Sequence, residues 1–145
     1  MYPKHSFRLF VIFAIFCFAG SSSLHAQDVV QQQLKKVHAI MILDDFSKTH
    51  NYEYDNLYDN EIEEYTLTLD EGFEYKIIAV CDGDCGDIDS WLYDANGNEI
   101  DEDTSEDDVP IVEVSPRWDG KFRIKIKMYE CRVEPCKIGI GVFAK

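Results

Sequence analysis

The hydrophobic positions follow a helical period early in the chain and a two-residue period in its second half. Between Asp28 and about Ser47, apolar residues recur three and four positions apart. This spacing predicts an amphipathic helix with Asp28 as its candidate N-cap. The residues of its apolar face are Val30, Leu34, Val37, Ile40, Met41, Leu43 and Phe46. We expect this face to cover an edge or end of the folded domain rather than to bind a partner.

From residue 65 onward, apolar and polar residues alternate, which predicts a series of short β-strands. The predicted strands are 65–69, 73–79, 88–93, 111–114, 121–129 and 136–143. Asp70-Glu71-Gly72 predicts a tight turn and Asn96-Gly97 a two-residue hairpin, while the acidic run 101–108 predicts a solvated loop. Strands at this spacing with no helices between them favour an antiparallel β-sandwich, so the expected fold class is mostly β.

The first 26 residues have the pattern of a secretory signal peptide. Lys4 and Arg8 precede an apolar run that is short for a bilayer span, and small residues lead to Ala26. We expect cleavage after Ala26 and a secreted or periplasmic protein that is not held in a membrane. Cys17 raises the alternative of a lipoprotein, which Phe16 disfavours because lipoprotein processing needs a small residue at that position.

After the signal peptide, the sequence divides into three parts. We expect an N-terminal helix over 27–50, an acidic connecting segment over 51–63 and a β-sandwich domain over 64–145. About 120 residues suffice for one domain with a modest core, and not for two.

The charge of the chain narrows the class of partner. The chain has 28 acidic and 14 basic side chains and therefore a net charge of −14. This negative charge disfavours nucleic acid and anionic membranes as partners. Divalent cations or basic partners fit better. Of the charged residues in 51–115, 22 are acidic and only Lys76 is basic, whereas 116–145 has eight basic and three acidic residues. We expect these two segments to pair across neighbouring strands, which explains the basic segment without a ligand.

Four cysteines follow the signal peptide: Cys81, Cys85, Cys131 and Cys136. An even number in an exported chain predicts disulfides, and the spacing is unlike that of the usual zinc-binding pairs. Three connectivities are open. Proximity in sequence favours Cys81–Cys85 with Cys131–Cys136.

Several segments resemble the bacterial pre-peptidase C-terminal domain and its secreted stand-alone relatives. They are GFEYKIIAVCDGDCGDIDSWLYDANGNEI, DDVPIVEVSP, DGKFRIKIKMYECRVEPC and IGIGVF, within 64–145. The positions that match the family pattern are Gly72, Tyr75, Asp87, Asp89, Tyr93, Asp94, Gly97, Gly120 and Phe122. The resemblance implies a jelly-roll-like β-sandwich, usually appended to secreted proteases, some members of which bind calcium or extracellular polymers such as collagen. Here a predicted helix stands where a protease domain would. Trp91 is expected in the core, with an exposed platform as the alternative.

Clustered carboxylates raise the hypothesis of a calcium site, because calcium takes six to eight oxygen ligands, many of them from carboxylates. The candidate ligands are Asp82, Asp84, Asp87, Asp89, Asp101 and Asp103, with a second candidate segment at Glu53, Asp55, Asn56 and Asp59. An EF-hand starting at Asp94 is excluded, because Glu99 stands where glycine is required. The alternative interpretation is a solvated acidic rim that resists aggregation.

Catalysis has little support in the sequence. His38 and His50 lie in no nucleophile or metal motif, and the chain has no G-x-S-x-G or H-E-x-x-H sequence. We therefore expect a non-enzymatic module with a binding or structural role, with calcium as its one candidate cofactor. Its partner would be an extracellular or periplasmic protein or polymer. The alternative is a periplasmic inhibitor or interaction protein that docks a partner through its N-terminal helix.

Overall fold

The structure, a computed structural model, describes residues 22–145, with side chains from residue 29 onward. One helix, α1 (Ser22–Leu43), precedes the strands. The strands are β1 (Ser47–Lys48), β2 (Glu53–Leu57), β3 (Ile62–Leu69), β4 (Tyr75–Cys81), β5 (Cys85–Tyr93), β6 (Glu99–Asp103), β7 (Ile111–Val114), β8 (Gly120–Cys131) and β9 (Cys136–Ala144). The predicted class, mostly β with one preceding helix, is confirmed.

The strands form two antiparallel sheets that pack face to face. Sheet A has the order β1-β9-β4-β7, with β2 also paired to β9, and sheet B has the order β3-β8-β5-β6. If β2 to β9 are taken as eight strands, the orders 2-9-4-7 and 3-8-5-6 are those of a jelly roll. The expected jelly-roll-like sandwich is therefore present.

The core between the sheets is built from alternate residues of the strands. In β8, Phe122, Ile124, Ile126 and Met128 are buried, while the basic residues between them face outward. Sheet A contributes Ile77, Val112, Ile138, Ile140 and Val142. The two-residue period therefore predicted the buried side of the central strands correctly.

Helix α1 packs on the outer face of sheet A. Val30 and Leu34 contact Val80 of β4, and Met41 packs near Phe143. The expectation that the helix covers an edge or end is wrong, because the outward side chains of β4 and β9 are themselves apolar and need cover. Contrary to the predicted apolar face, Ile40 is 56% exposed and Leu43 is 82% exposed.

Two glycines of β9 leave room for side chains that pack on this face of sheet A: Gly139 for those of the helix and Gly141 for Phe143. A Cβ at Gly139 would lie 2.6 Å from Val30 Cγ1 and 2.9 Å from Leu34 Cδ1. A Cβ at Gly141 would lie 2.8 Å from the ring of Phe143. The sequence IGIGVF thus supplies bare backbone where the helix packs onto sheet A.

The helix ends in a Schellman motif. The Phe46 N–H bonds the Met41 carbonyl (2.9 Å), and the Asp45 N–H bonds the Ile42 carbonyl (3.2 Å). Asp45 has φ 65°, where glycine is more usual. The motif turns Phe46 back onto sheet A, so the helix ends at Leu43 rather than near Ser47.

Other boundaries also differ from those predicted. The helix begins at Ser22, so Asp28 is not its N-cap, and residues 51–63 contain strand β2 instead of a connection. Residues 101–103 belong to β6 rather than to a loop. Strands β2 and β6 lie at the sides of the sandwich, where few residues are buried, so their sequences lack a clear two-residue period.

The predicted signal peptide lies mostly outside the described residues, which also exclude Cys17, and Ala26 falls within the first turns of α1. Within residues 22–145, no helix combines the length and apolar content that a membrane crossing needs.

Strands β5 and β6 form a hairpin at Asn96-Gly97, but its loop is not the predicted two residues, because the strands pair only as far as Tyr93 and Glu99 and leave 94–98 between them. Gly97 has φ 83°, and the Asp94 carboxylate accepts the N–H groups of Asn96 (2.8 Å) and Asn98 (2.9 Å). The side-chain hydrogen bond from Asn98, followed by these backbone bonds, holds the pKa of Asp94 below its usual value. This aspartate orders the turn.

Candidate functional site

Both disulfides bridge the two sheets at the same end of the sandwich. Cys81–Cys85 joins the end of β4 to the start of β5, and Cys131–Cys136 joins the end of β8 to the start of β9. Cys85 and Cys131 are also paired across β5 and β8. This is the connectivity that proximity in sequence favoured, and it fits an oxidising environment.

The two cysteine loops are held together by Arg132. Its backbone N–H bonds the Asp84 carbonyl (2.8 Å), and its guanidinium donates to the Gly83 (3.2 Å) and Cys85 (3.4 Å) carbonyls. The carboxylate of Asp82 is buried and accepts the Lys137 N–H (2.7 Å). Asp82 therefore stabilises this end of the fold, while the side chain of Asp84 is exposed.

Asp101 and Asp103 of β6 reach across to the edge of the other sheet. Asp101 accepts the N–H of Glu113 (2.7 Å), and Asp103 accepts the N–H of Ile111 (2.9 Å), both from edge strand β7. Burial alone would raise the pKa of Asp103, but the bonds from Ile111 and Ser105 outweigh it, so the pKa is lowered. These two candidate ligands thus close one side of the sandwich and occupy backbone donors of an edge strand.

The second candidate segment has similar structural roles. Asp55 of β2 accepts the hydroxyl of Tyr65 on β3 (3.1 Å), and Asp59 accepts the Cys131 N–H (3.0 Å). Burial, with the nearby Asp55, raises the pKa of the Tyr65 hydroxyl. The side chains of Glu53 and Asn56 are exposed on β2.

Asp87 and Asp89 differ from these carboxylates because the fold does not give every one of their oxygens a partner. Asp89 is 7% exposed, and within residues 22–145 we find no hydrogen bond or ion pair to its carboxylate. The Oδ1 atom of Asp87 is also buried without a hydrogen-bond partner. Both residues lie on β5, whose register with β8 shifts on either side of Asp87. The negative charge of Asp87 raises the pKa of Asp89, so the two side chains are close together.

The surroundings of this pair are mostly acidic. Desolvation raises the pKa of Asp87, and Glu106, Asp107 and Glu130 raise it further. Desolvation also raises the pKa of Asp89, with Asp87 adding to the effect and Lys127 opposing it.

Lysine and aromatic side chains alternate across the outer face of sheet B. The Nζ of Lys125 lies 3.9 Å from the centre of the Trp91 ring and donates to the Tyr93 hydroxyl (3.2 Å). Arg123 lies 5.2 Å from the Tyr93 ring centre and pairs with Glu64 of β3 (3.5 Å). The expected pairing of the basic and acidic segments therefore occurs here, partly through aromatic rings.

Trp91 lies on this outer face, partly buried beneath Lys125, and its indole N–H donates to Glu102 of β6 (2.9 Å). The core position that the sequence favoured for Trp91 is wrong, because Ile88, Ser90 and Leu92 occupy the inward positions of β5. The outward positions could have been recognised by extending the alternation of β5 from Leu92 to its neighbours.

An open groove of about 450 Å³ lies at the opposite end from the disulfides. Trp118, which stacks on Phe122, forms one wall, and Ile100, Val114 and Pro116 also line the groove. This groove was not predicted from the sequence, because its lining residues come from three separate segments.

The described part of the chain contains no group of three or more histidine, cysteine, aspartate or glutamate side chains placed to hold a metal ion. The calcium hypothesis stays a prediction. Of its candidate ligands, the structure brings Asp87 and Asp89 together and gives Asp82, Asp101, Asp103, Asp55 and Asp59 hydrogen-bond partners within the protein.

Comparison of the sequence with models of known protein families and with curated proteins finds no match. These comparisons leave the resemblance to the pre-peptidase C-terminal domain as a prediction from the motifs.

Proposed function

We propose that this chain is an exported, non-enzymatic β-sandwich module whose sheet B binds an extracellular or periplasmic protein or polymer. The observation that carries the proposal is the difference between the two sheets: α1 covers the outer face of sheet A, whereas that of sheet B carries an ordered array of charged and aromatic side chains. The predicted signal peptide and the two disulfides support export, with cleavage after Ala26.

The resemblance to the pre-peptidase C-terminal domain supports the same proposal, because members of that family are secreted modules. The proposal includes stabilisation of the module by bound calcium. A thermal melt in calcium and then in chelator tests it, and an unchanged melting temperature contradicts it.

The binding face can be tested by photo-crosslinking in cells that naturally express the protein. A photoreactive amino acid at Thr66, exposed on the outer face of sheet B, should give adducts with the partner. The matched probe at Lys36, exposed on α1, should give none. Absence of adducts at Thr66 contradicts a binding role for sheet B.

A second candidate function, docking of a partner by the helix, is favoured by one observation. Ile40, Ile42 and Leu43 are exposed at the end of α1. On this hypothesis, the probe at Lys36 gives adducts and Ile40→Lys with Leu43→Lys removes them without changing the melting temperature. Deleting residues 27–50 is a poorer test, because it uncovers Ile78 and Phe143 of sheet A and would unfold the sandwich in either case.

A further inference from the structure

Asp89 is a nearly buried acidic residue of sheet B. It is 7% exposed, yet within residues 22–145 no N–H or hydroxyl donates to it and no cation lies within ion-pair distance. A buried charge without a partner costs free energy of folding, so such groups are usually paired. Asp87, two residues earlier on β5, has one carboxylate oxygen, Oδ1, that is fully buried without a hydrogen-bond partner.

The nearest basic side chains are engaged elsewhere. Lys127 is opposite Asp89 across β5 and β8, but its Nζ lies over the Tyr129 ring, 4.5 Å from the centre. Lys125 lies over Trp91. Lys127 thus opposes the rise in the pKa of Asp89 through its charge but forms no ion pair with it.

The neighbouring loop adds negative charge rather than removing it. The Asp107 carbonyl accepts the Ile88 N–H (3.1 Å), which places the loop that follows β6 against the start of β5. Glu106 and Asp107 on this loop, and Glu130 on β8, lie close enough to Asp87 to raise its pKa. The site is therefore complementary to a positively charged group.

The number of carboxylates that converge at the site bears on the kind of cation. A calcium ion needs several oxygens that converge at about 2.3–2.6 Å, and within the described residues no such group of three side chains occurs. An ammonium or guanidinium group donates several N–H bonds in diverging directions, and charge-assisted bonds of this kind are the strong ones. A basic side chain, with its several N–H donors, therefore matches carboxylates that include an unpartnered oxygen.

We propose that Asp87 and Asp89 form a binding site for a lysine or arginine side chain of a basic peptide segment. The proposal rests on the function proposed above and names the chemistry by which sheet B recognises its partner. On binding, the ligand N–H groups occupy the carboxylate oxygens that the free protein leaves without partners.

The test measures binding of a fluorescently labelled octa-arginine peptide to the disulfide-bonded protein by anisotropy in 150 mM salt. Asp87→Asn with Asp89→Asn should weaken binding about tenfold or more, the scale of one lost charge-assisted hydrogen bond. The control, Asp70→Asn with Glu71→Gln, removes the same charge at the opposite end of sheet B. It should change affinity by no more than about twofold, because exposed charges are screened over this distance.

Thermal melts separate loss of the site from loss of the fold. The double variant and Asp89→Asn alone should melt at or above the temperature of the unmodified protein, because each removes buried charge that lacks a partner. Equal weakening by the control pair, or no peptide binding by the unmodified protein, would overturn the proposal. Calcium binding that depends on Asp87 and Asp89 and displaces the peptide would also overturn it.

The outcome can be separated from that of the proposed function. If adducts at Thr66 persist in the Asp87→Asn and Asp89→Asn variant, sheet B still binds its partner and only the basic side-chain site is wrong.

Discussion

In its charged form, Asp89 lowers the stability of the fold. Burial next to other carboxylates raises its folded-state pKa. Its charged form is therefore disfavoured in the fold, and stability falls as pH rises through the interval between the unfolded and the folded pKa. Natural proteins retain residues that lower the free energy of unfolding where a functional site requires those residues.

We predict that Asp89→Asn raises the free energy of unfolding at pH 7 by about 1 kcal/mol, the scale of an unmade hydrogen bond to a buried group. The gain should vanish below the unfolded pKa, near pH 3, where both side chains are neutral. Urea denaturation at the two pH values measures the difference. A variant less stable than the unmodified protein at pH 7 would contradict the unpaired state of Asp89.

Asp103 has the opposite effect. We predict that Asp103→Ala lowers the free energy of unfolding at pH 7 by about 1–2 kcal/mol, because the N–H of Ile111 and the hydroxyl of Ser105 lose their acceptor. Asp103→Asn should cost less, since its amide oxygen still accepts one bond. The folded pKa is lowered, so the contribution of Asp103 is present above the unfolded pKa and lost as pH falls through the folded one. Urea denaturation between pH 7 and pH 2 checks both statements.

The sequence marked Asp87, Asp89, Asp101 and Asp103 as members of one acidic group, but it could not separate their roles. Those roles depend on cross-strand register and on a contact between sheets, since β6 places two carboxylates beside the amides of β7. Neither the register nor the contact leaves a local pattern in the chain.

Among the elements, the contact between α1 and β9 is the most sensitive to one added atom. We predict that Gly139→Ala lowers the free energy of unfolding by about 1–3 kcal/mol, because the new methyl group overlaps Val30 and Leu34. Gly83→Ala is the control: its Cβ would meet nothing within 4 Å. Thermal denaturation of both variants provides the comparison. Equal melting temperatures would show that the helix shifts to accommodate the methyl group without a loss of stability.

How well an element could be predicted depended on how many of its residues are buried. Strand β8 alternates strictly because it lies inside sheet B, with one face on the core and the other toward solvent. Strand β2 has only Leu57 buried and therefore lacked a pattern. The helix was recognised from its period, but its docking on a face could not be, because that depends on the outward apolar residues Ile78, Val80 and Phe143.

For the molecule as a whole, the two disulfides are short-range in sequence but join different sheets. We predict that replacing Cys81 and Cys85 with alanine lowers the free energy of unfolding by about 2 kcal/mol, as chain entropy indicates for so small a loop. The equivalent replacement of Cys131 and Cys136 should have a similar effect. Chemical denaturation of each paired variant measures it, and a loss below about 0.5 kcal/mol for either pair would assign the stability of that end to Arg132 and Asp82 instead.

The covalent links at a single end also make the sandwich mechanically asymmetric. Amide hydrogens of β8 near Met128 should exchange with deuterated solvent more slowly than those near Phe122, because local opening starts where no sulfur bridge restrains the sheets. A reducing agent should erase this gradient. Without the sulfur bridges, both ends of the sandwich would then open at similar rates.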